Sequence, residues 1–190
     1  MFILSCKLKE TFRCLPKGFR IDFKPLTLLV GEQGSGKSSL LGLMKEQSSK
    51  IEIELTDEAR TKGVPFFFFD SEKMNPRIKD PHTYDSNDGF KTSLFSRFNS
   101  HGEVHQKIMF STLGDGSSTI LIVDEPETAL SIKNQVKLAN RIEKSLANNC
   151  QIIIATHNLI LMERFPEVYS MEHRQWMASS DYLETQGYRR

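Results

Sequence analysis

One stretch constrains this chain more than any other. Leu26 to Val30 is a short apolar run that passes directly into Gly31-Glu32-Gln33-Gly34-Ser35-Gly36-Lys37-Ser38. The run reads as a buried strand and the residues after Ser38 as a helix. Strand, glycine-rich turn and helix in that order fit G-x-x-x-x-G-K-[ST], a cradle for a nucleoside triphosphate. Such a ligand needs many N–H donors at short range. Glycines let the backbone curl around it without Cβ clashes. The helix start adds free N–H groups and the positive end of its dipole. ATP is therefore expected on Gly31, Gln33, Gly34, Ser35, Gly36, Lys37, Ser38 and Ser39, with Lys37 bridging the β and γ phosphates. The Ser38 hydroxyl is expected to hold Mg2+.

The rest of the chain supplies a setting for that loop. Phe2–Leu8 and Phe19–Phe23 read as strands, and Ile51–Leu55 alternates like an edge strand. Val64–Phe69, with four successive Phe, reads as a strand buried on both faces. Residues 70–92 are rich in turn formers. Helical patterning resumes near Ser100 and runs toward Phe110. Thr119–Val123 and Gln151–Ala155 are further buried strands around an amphipathic helix at Ser131–Ala147, ended by Asn148 and Asn149. A short strand at Val168–Met171 and a polar tail close the chain. Apolar strands alternating with helices predict an α/β fold: a mostly parallel sheet flanked by helices, with antiparallel strands at the N-terminus. The whole of 1–190 is expected to be one domain.

Two strand ends carry further chemistry. The strand Thr119–Val123 runs into Asp124-Glu125-Pro126. Ligand sites of α/β sheets lie at such carboxyl ends. Asp124 is expected to hold Mg2+, directly or through water. Successive side chains on a strand point to opposite sides, so Glu125 is expected to face away from Asp124 and to take another role. Glu125 is the candidate general base for an attacking water. Gln151–Ala155 ends in Thr156-His157-Asn158, and His157 is a candidate sensor of the γ-phosphate, against the commoner reading of a satisfied structural histidine.

Bulk properties exclude several classes. Net charge is +1, so the molecule as a whole has no pull toward nucleic acid. Residues 1–24 hold six basic residues against Glu10 and Asp22, which reads most simply as a solvated face. Cys6, Cys14 and Cys150 form no metal spacing, and their odd number suits a reducing cytoplasm. No run of about 18 apolar residues occurs, so no direct membrane insertion is expected.

These motifs, in this order, resemble the ABC-type ATPases. The Glu after the aspartate and Ala155-Thr156-His157-Asn158 separate them from Ras-like proteins. Asp124 to Ser131, DEPETALS, is similar to the acidic strand and D-loop of soluble members of the SMC, RecF and AAA-like type. Ser100-His101-Gly102-Glu103 resembles the signature loop, usually S-G-G-[QE], although His101 replaces a glycine. The same four residues also read as a helix N-cap with a capping box. The resemblance covers roughly residues 19–171 and implies a small signature-bearing subregion at 76–112. It implies ATP between two head-to-tail subunits, a homodimer or a heterodimer with a related ATPase, with Ser100 and Gly102 acting in trans. It leaves the Q-loop without a glutamine, and Glu72 is the substitute expected at the metal. Phe12 and Arg13 are the alternatives for stacking on adenine.

About sixty residues separate Ser38 from Ser100, without heptads, so no long coiled-coil arm is present between them. Three readings follow: an ATPase that clamps a DNA or protein effector on binding ATP, an ATP-gated dimerisation switch with little turnover, and the nucleotide-binding subunit of a transporter.

Overall fold

A computed structural model describes residues 2–70, 118–128 and 130–188. Signature residues Ser100 and Gly102, the metal candidate Glu72 and the 76–112 subregion lie outside them.

The first sheet is antiparallel. Strand β1 (Ile3–Leu8) pairs with β2 (Arg20–Asp22) on one side and β4 (Ile51–Leu55) on the other. The N-terminal antiparallel strands and the β4 edge are therefore as expected. The second sheet has six strands in the order β5 (Phe66–Asp70), β6 (Ile120–Asp124), β7 (Gln151–Ala155), β3 (Leu26–Val30), β8 (Glu167–Ser170) and β9 (Gln175–Ala178). All neighbours pair in parallel except β8 with β9.

The apolar runs explain the order. Every residue of β7 is buried, as are Ile120 to Val123 of β6. Strands with no polar face occupy the middle of a sheet covered on both sides. One cluster of buried residues gathers Leu40, Leu41 and Met44 of helix α1 (Lys37–Lys45) with Ile3 and Cys6 of the small sheet and Ile122 and Ile153 of the large one. Helix α1 thus lies between the two sheets. On the other face, Leu121 and Ile152 pack with Leu138 and Ile142 of α3 (Ile132–Ala147), Leu161 of α4 (Leu159–Arg164) and Tyr182 of α5 (Ser179–Thr185).

One buried polar residue joins the sheets. The Gln151 carboxamide oxygen accepts from Phe2 N at 2.8 Å and Ile3 N at 2.6 Å, and its nitrogen donates to Ile3 O at 2.8 Å. A buried amide is tolerated when its bonds are satisfied in this way.

Two expectations about the fold need correction. Phe66 and Phe67 are 40% and 44% exposed, so β5 is not buried on both faces. It stands at the end of the six-stranded order, where one flank lacks a partner among the described residues. The segment after β8 is not a polar tail, because β9 and α5 follow, with Tyr182 and Leu183 in the core. The short helix α2 (Asp57–Lys62) is also present, capped by Thr56, whose hydroxyl accepts from Ala59 N, and closed by Gly63 at φ 62°.

Register brings three chain segments to one edge. Asp124 lies beside Ala155, and Leu29 pairs with Ala155 on its other side. The loops after β3, β6 and β7 therefore emerge together.

Candidate functional site

Glycine geometry shapes the first of these loops. Gly34 has φ 86° and Gly36 φ 100°, left-handed values that side-chain-bearing residues rarely adopt. A Cβ on Gly36 would sit 2.7 Å from Leu15 Cδ2 and 2.9 Å from Cys14 Sγ, so the loop is pressed against the turn before β2. Gly36→Ala is expected to cost about 1–3 kcal/mol from backbone strain, before the clash is added. Thermal unfolding reads this as a Tm lowered by about 2–4 °C for each kcal/mol.

Gly36 is also the N-cap of α1, and no side chain caps it. The first N–H groups of a nine-residue helix are left for another acceptor. The Ser35 hydroxyl is buried with no hydrogen-bond partner. These donors fit an anion at this position.

Lys37 is buried at 4% exposure. Its ammonium folds back over the loop, donating to Gly31 O at 2.7 Å and Glu32 O at 3.0 Å. Burial lowers its pKa, and the carboxylates of Glu125 and Asp124 oppose that shift. The Ser38 hydroxyl donates to Asp124 Oδ1 at 3.1 Å across the gap between α1 and β6. A hydroxyl, one carboxylate and open space toward an anion site suit Mg2+, which keeps waters and binds through few protein ligands.

Glu125 does not follow the alternation expected of it. Its φ is 47°, so the chain leaves β6 through a left-handed turn. Its N–H donates to Ala155 O at 2.9 Å, and its carbonyl accepts from Thr128 N. The result is that Asp124 and Glu125 line the same cleft rather than opposite sides. Glu125 Oε1 lies 3.8 Å from His157 Nε2, with both side chains partly open to solvent.

The cleft, ≈ 450 Å³, is bounded by Gly34, Gly36, Lys37, Ser38, Asp124, Glu125 and His157, with Arg13, Gln33 and Ser39 on its rim. Of the residues expected around the triphosphate, the structure brings together all but Ser100, Gly102 and Glu72, which lie outside the described residues, and two of the loop itself: Gly31 and Ser35 form its base without lining the cleft. Between the two stacking alternatives, Arg13 reaches the cleft and donates to Ser39 Oγ at 3.3 Å. Phe12 packs against the core with Arg13 and Lys50 on its ring, away from the cleft.

Sequence reasoning missed Glu127. Its carboxylate accepts from the Thr156 hydroxyl at 2.9 Å and from His157 N at 2.6 Å. Burial raises its pKa, against the lowering effect of these bonds. The signal was available: the third acid of DEPE stands in a turn beside a strand end that carries Thr-His-Asn. Only the parallel β6–β7 register shows that the two turns meet.

Comparison with known proteins adds a fold. A family model whose description opens "AAA domain" and goes on to name the AbiEii toxin and a Type IV TA system matches residues 107–163. Among curated protein sequences none matches the chain. Solved structures do. The ATP-binding subunit of an ABC transporter is 15% identical with a TM-score of 0.60, over 98% of this chain and 94% of that one. The SMC head domain of Thermotoga maritima is 16% identical with a TM-score of 0.59, over 90% and 94%. A dimeric ATP-binding cassette bound to ADP and Pi is 15% identical with a TM-score of 0.57, over 94% and 99%. The phosphate loop and the acidic strand end thus stand on the fold of those structures: this chain has the fold of the ABC-type P-loop ATPases.

Proposed function

We propose that the chain binds Mg-ATP in the cleft and hydrolyses it between two subunits, using the ATP state to govern binding of an effector. One observation carries the reading: Lys37, Ser38, Asp124, Glu125 and His157, from three separate chain segments, converge on one cleft beside an uncapped helix start. The triphosphate takes the place of Gly31 O and Glu32 O at the Lys37 ammonium. Ser38 and Asp124 hold Mg2+, which when bound offsets the negative charge of the phosphates. Glu125 accepts a proton from water as the water oxygen attacks the γ-phosphorus. The bond to the β–γ bridging oxygen breaks, leaving ADP and phosphate. His157, beside Glu125, donates to the γ-phosphate. Ser100 and Gly102 of the second subunit complete the site, as the signature resemblance implies.

Gel filtration with and without Mg-ATP tests the dimer. Glu125→Gln should elute as a dimer with Mg-ATP and as a monomer without it, while wild type returns to monomer as phosphate is released. A monomer under every nucleotide condition removes the two-subunit site. Dimerisation with ATP but no phosphate release by wild type favours the non-turnover switch. No helix among the described residues is long and apolar enough to cross a membrane.

Glu127 acts here as a positioning residue. It ties the turn after Glu125 to the backbone of His157. Glu127→Ala removes the acceptor of the Thr156 hydroxyl, which still accepts from Asn158 N, and frees the exposed His157 N–H to water. Turnover should fall on the order of tenfold to a hundredfold through misplacement, with KM little changed. Glu127→Gln, which keeps one acceptor, should recover part of kcat. A purely structural role predicts lower Tm with kcat per folded molecule intact.

A further inference from the structure

Helix α3 carries Lys133, Lys137, Arg141 and Lys144, with Asn140 among them. Spacings of four, four and three set them on one face. The opposite face holds Leu138, Ile142 and Ser145, buried against the sheet. Lys133, Lys137, Asn140 and Lys144 are exposed, and Arg141 is half-buried. The last four of the row surround a shallow concavity of ≈ 410 Å³.

All of this row but Lys144, which suits the dipole in the last turn, works against the helix that bears it. Like charges at i,i+4 repel one another. The first turn holds no acid, and Lys133 stands there at the positive end of the helix dipole. Four cations elsewhere on the surface sit beside carboxylates: Lys24 with Glu167, Lys50 with Glu10, Lys62 with Glu58, Arg20 with Asp22. Glu143 of α3 is turned away to Arg164 of α4, at 2.8 Å. No carboxylate among the described residues pairs with Lys133, Lys137 or Lys144. A net charge of only +1 shows that composition does not force such a face. Of the six basic residues in 1–24, by contrast, Arg20 and Lys24 are each held by a carboxylate.

We infer that this face of α3 binds the sugar–phosphate backbone of a nucleic acid. Positions 133 to 144 span about 16 Å of helix axis at ~1.5 Å per residue, a row that suits a linear polyanion better than a single phosphate. A lipid surface would need a broad apolar helix face to insert; α3 exposes only Ile132 and Val136 beside the row, and its main apolar face lies in the core. Contacts to backbone alone give binding with little sequence preference. The inference names the effector of the function proposed above and rests on that reading only for its coupling to ATP.

Fluorescence anisotropy with labelled duplex and single-stranded oligonucleotides of mixed sequence, across a salt series, tests it. Wild type should bind without regard to sequence and weaken as salt rises. The variant Lys133→Gln/Lys137→Gln/Lys144→Gln should lose at least tenfold in affinity at low salt. Its log–log salt slope on duplex should shrink by about 2–3, since each phosphate contact contributes roughly 0.9. Basal phosphate release and Tm should stay at wild-type values, because none of the three lines the nucleotide cleft. Absence of binding by wild type at the lowest salt overturns the inference. So does equal affinity and slope in the variant, or binding to anionic phospholipid vesicles or polyglutamate with none to oligonucleotides. Oligonucleotide binding by wild type that shows no affinity for Mg-ATP would leave this face assigned and remove the nucleotide reading instead.

Discussion

Replacing Lys37 with alanine is expected to weaken Mg-ATP binding by two to four orders of magnitude. Among the described residues the ammonium is the one cationic side chain of the cleft that is buried, and it already makes two hydrogen bonds to loop carbonyls. Charged hydrogen bonds contribute about 1.5–3 kcal/mol each, and two of them amount to roughly 3–6 kcal/mol. That corresponds to about 10²–10⁴ in Kd. Burial has already removed much of the water that would compete for the ammonium, so phosphate oxygens are strong replacements for Gly31 O and Glu32 O. Lys37→Met, which keeps the length of the stem, separates lost charge from lost packing. Calorimetric titration reads both. A Kd for ATP within threefold of wild type in both variants would show that Lys37 does not meet the triphosphate.

Glu125→Gln should lower kcat by about 10²–10⁴, the usual contribution of a positioned base, while ATP affinity stays within a few-fold. The two adjacent acids divide by their contacts. Asp124 receives the Ser38 hydroxyl, which places it at the metal position. Glu125 receives none of the loop donors and instead lies within 3.8 Å of His157 Nε2. Asp124→Asn is therefore expected to weaken Mg-dependent ATP binding, and Glu125→Gln to spare it. Single-turnover phosphate release with saturating ATP distinguishes them. Matching kcat in wild type and Glu125→Gln would assign the base elsewhere.

The sequence was legible where one short segment determines its own geometry. G-E-Q-G-S-G-K-S specifies a loop and a helix start by itself, and the structure gives it left-handed glycines and an uncapped α1. The apolar runs of β3, β6 and β7 identified the middle of the sheet, because a strand with no polar face can lie nowhere else. What failed depended on neighbours. Alternation placed Glu125 opposite Asp124, but a φ of 47° at the strand end overrides the pleat. Glu127 appeared as one more acid in a turn until the β6–β7 register set it against Thr156 and His157. Gln151, at the start of an apolar strand, gave no hint that it satisfies the backbone of Phe2 and Ile3 nearly 150 positions away. The Phe run of β5 misled because hydrophobicity reports a preference for burial, not the position of the strand in the sheet order.

A crystal structure with a slowly hydrolysed Mg-ATP analogue asks where the triphosphate sits. The expected result places the γ-phosphate within hydrogen-bond reach of Lys37 Nζ, with Ser38 and Asp124 on one metal ion and Glu125 facing the γ-phosphorus. A triphosphate bound elsewhere, such as the neighbouring pocket lined by Tyr182 and Tyr188, would contradict it.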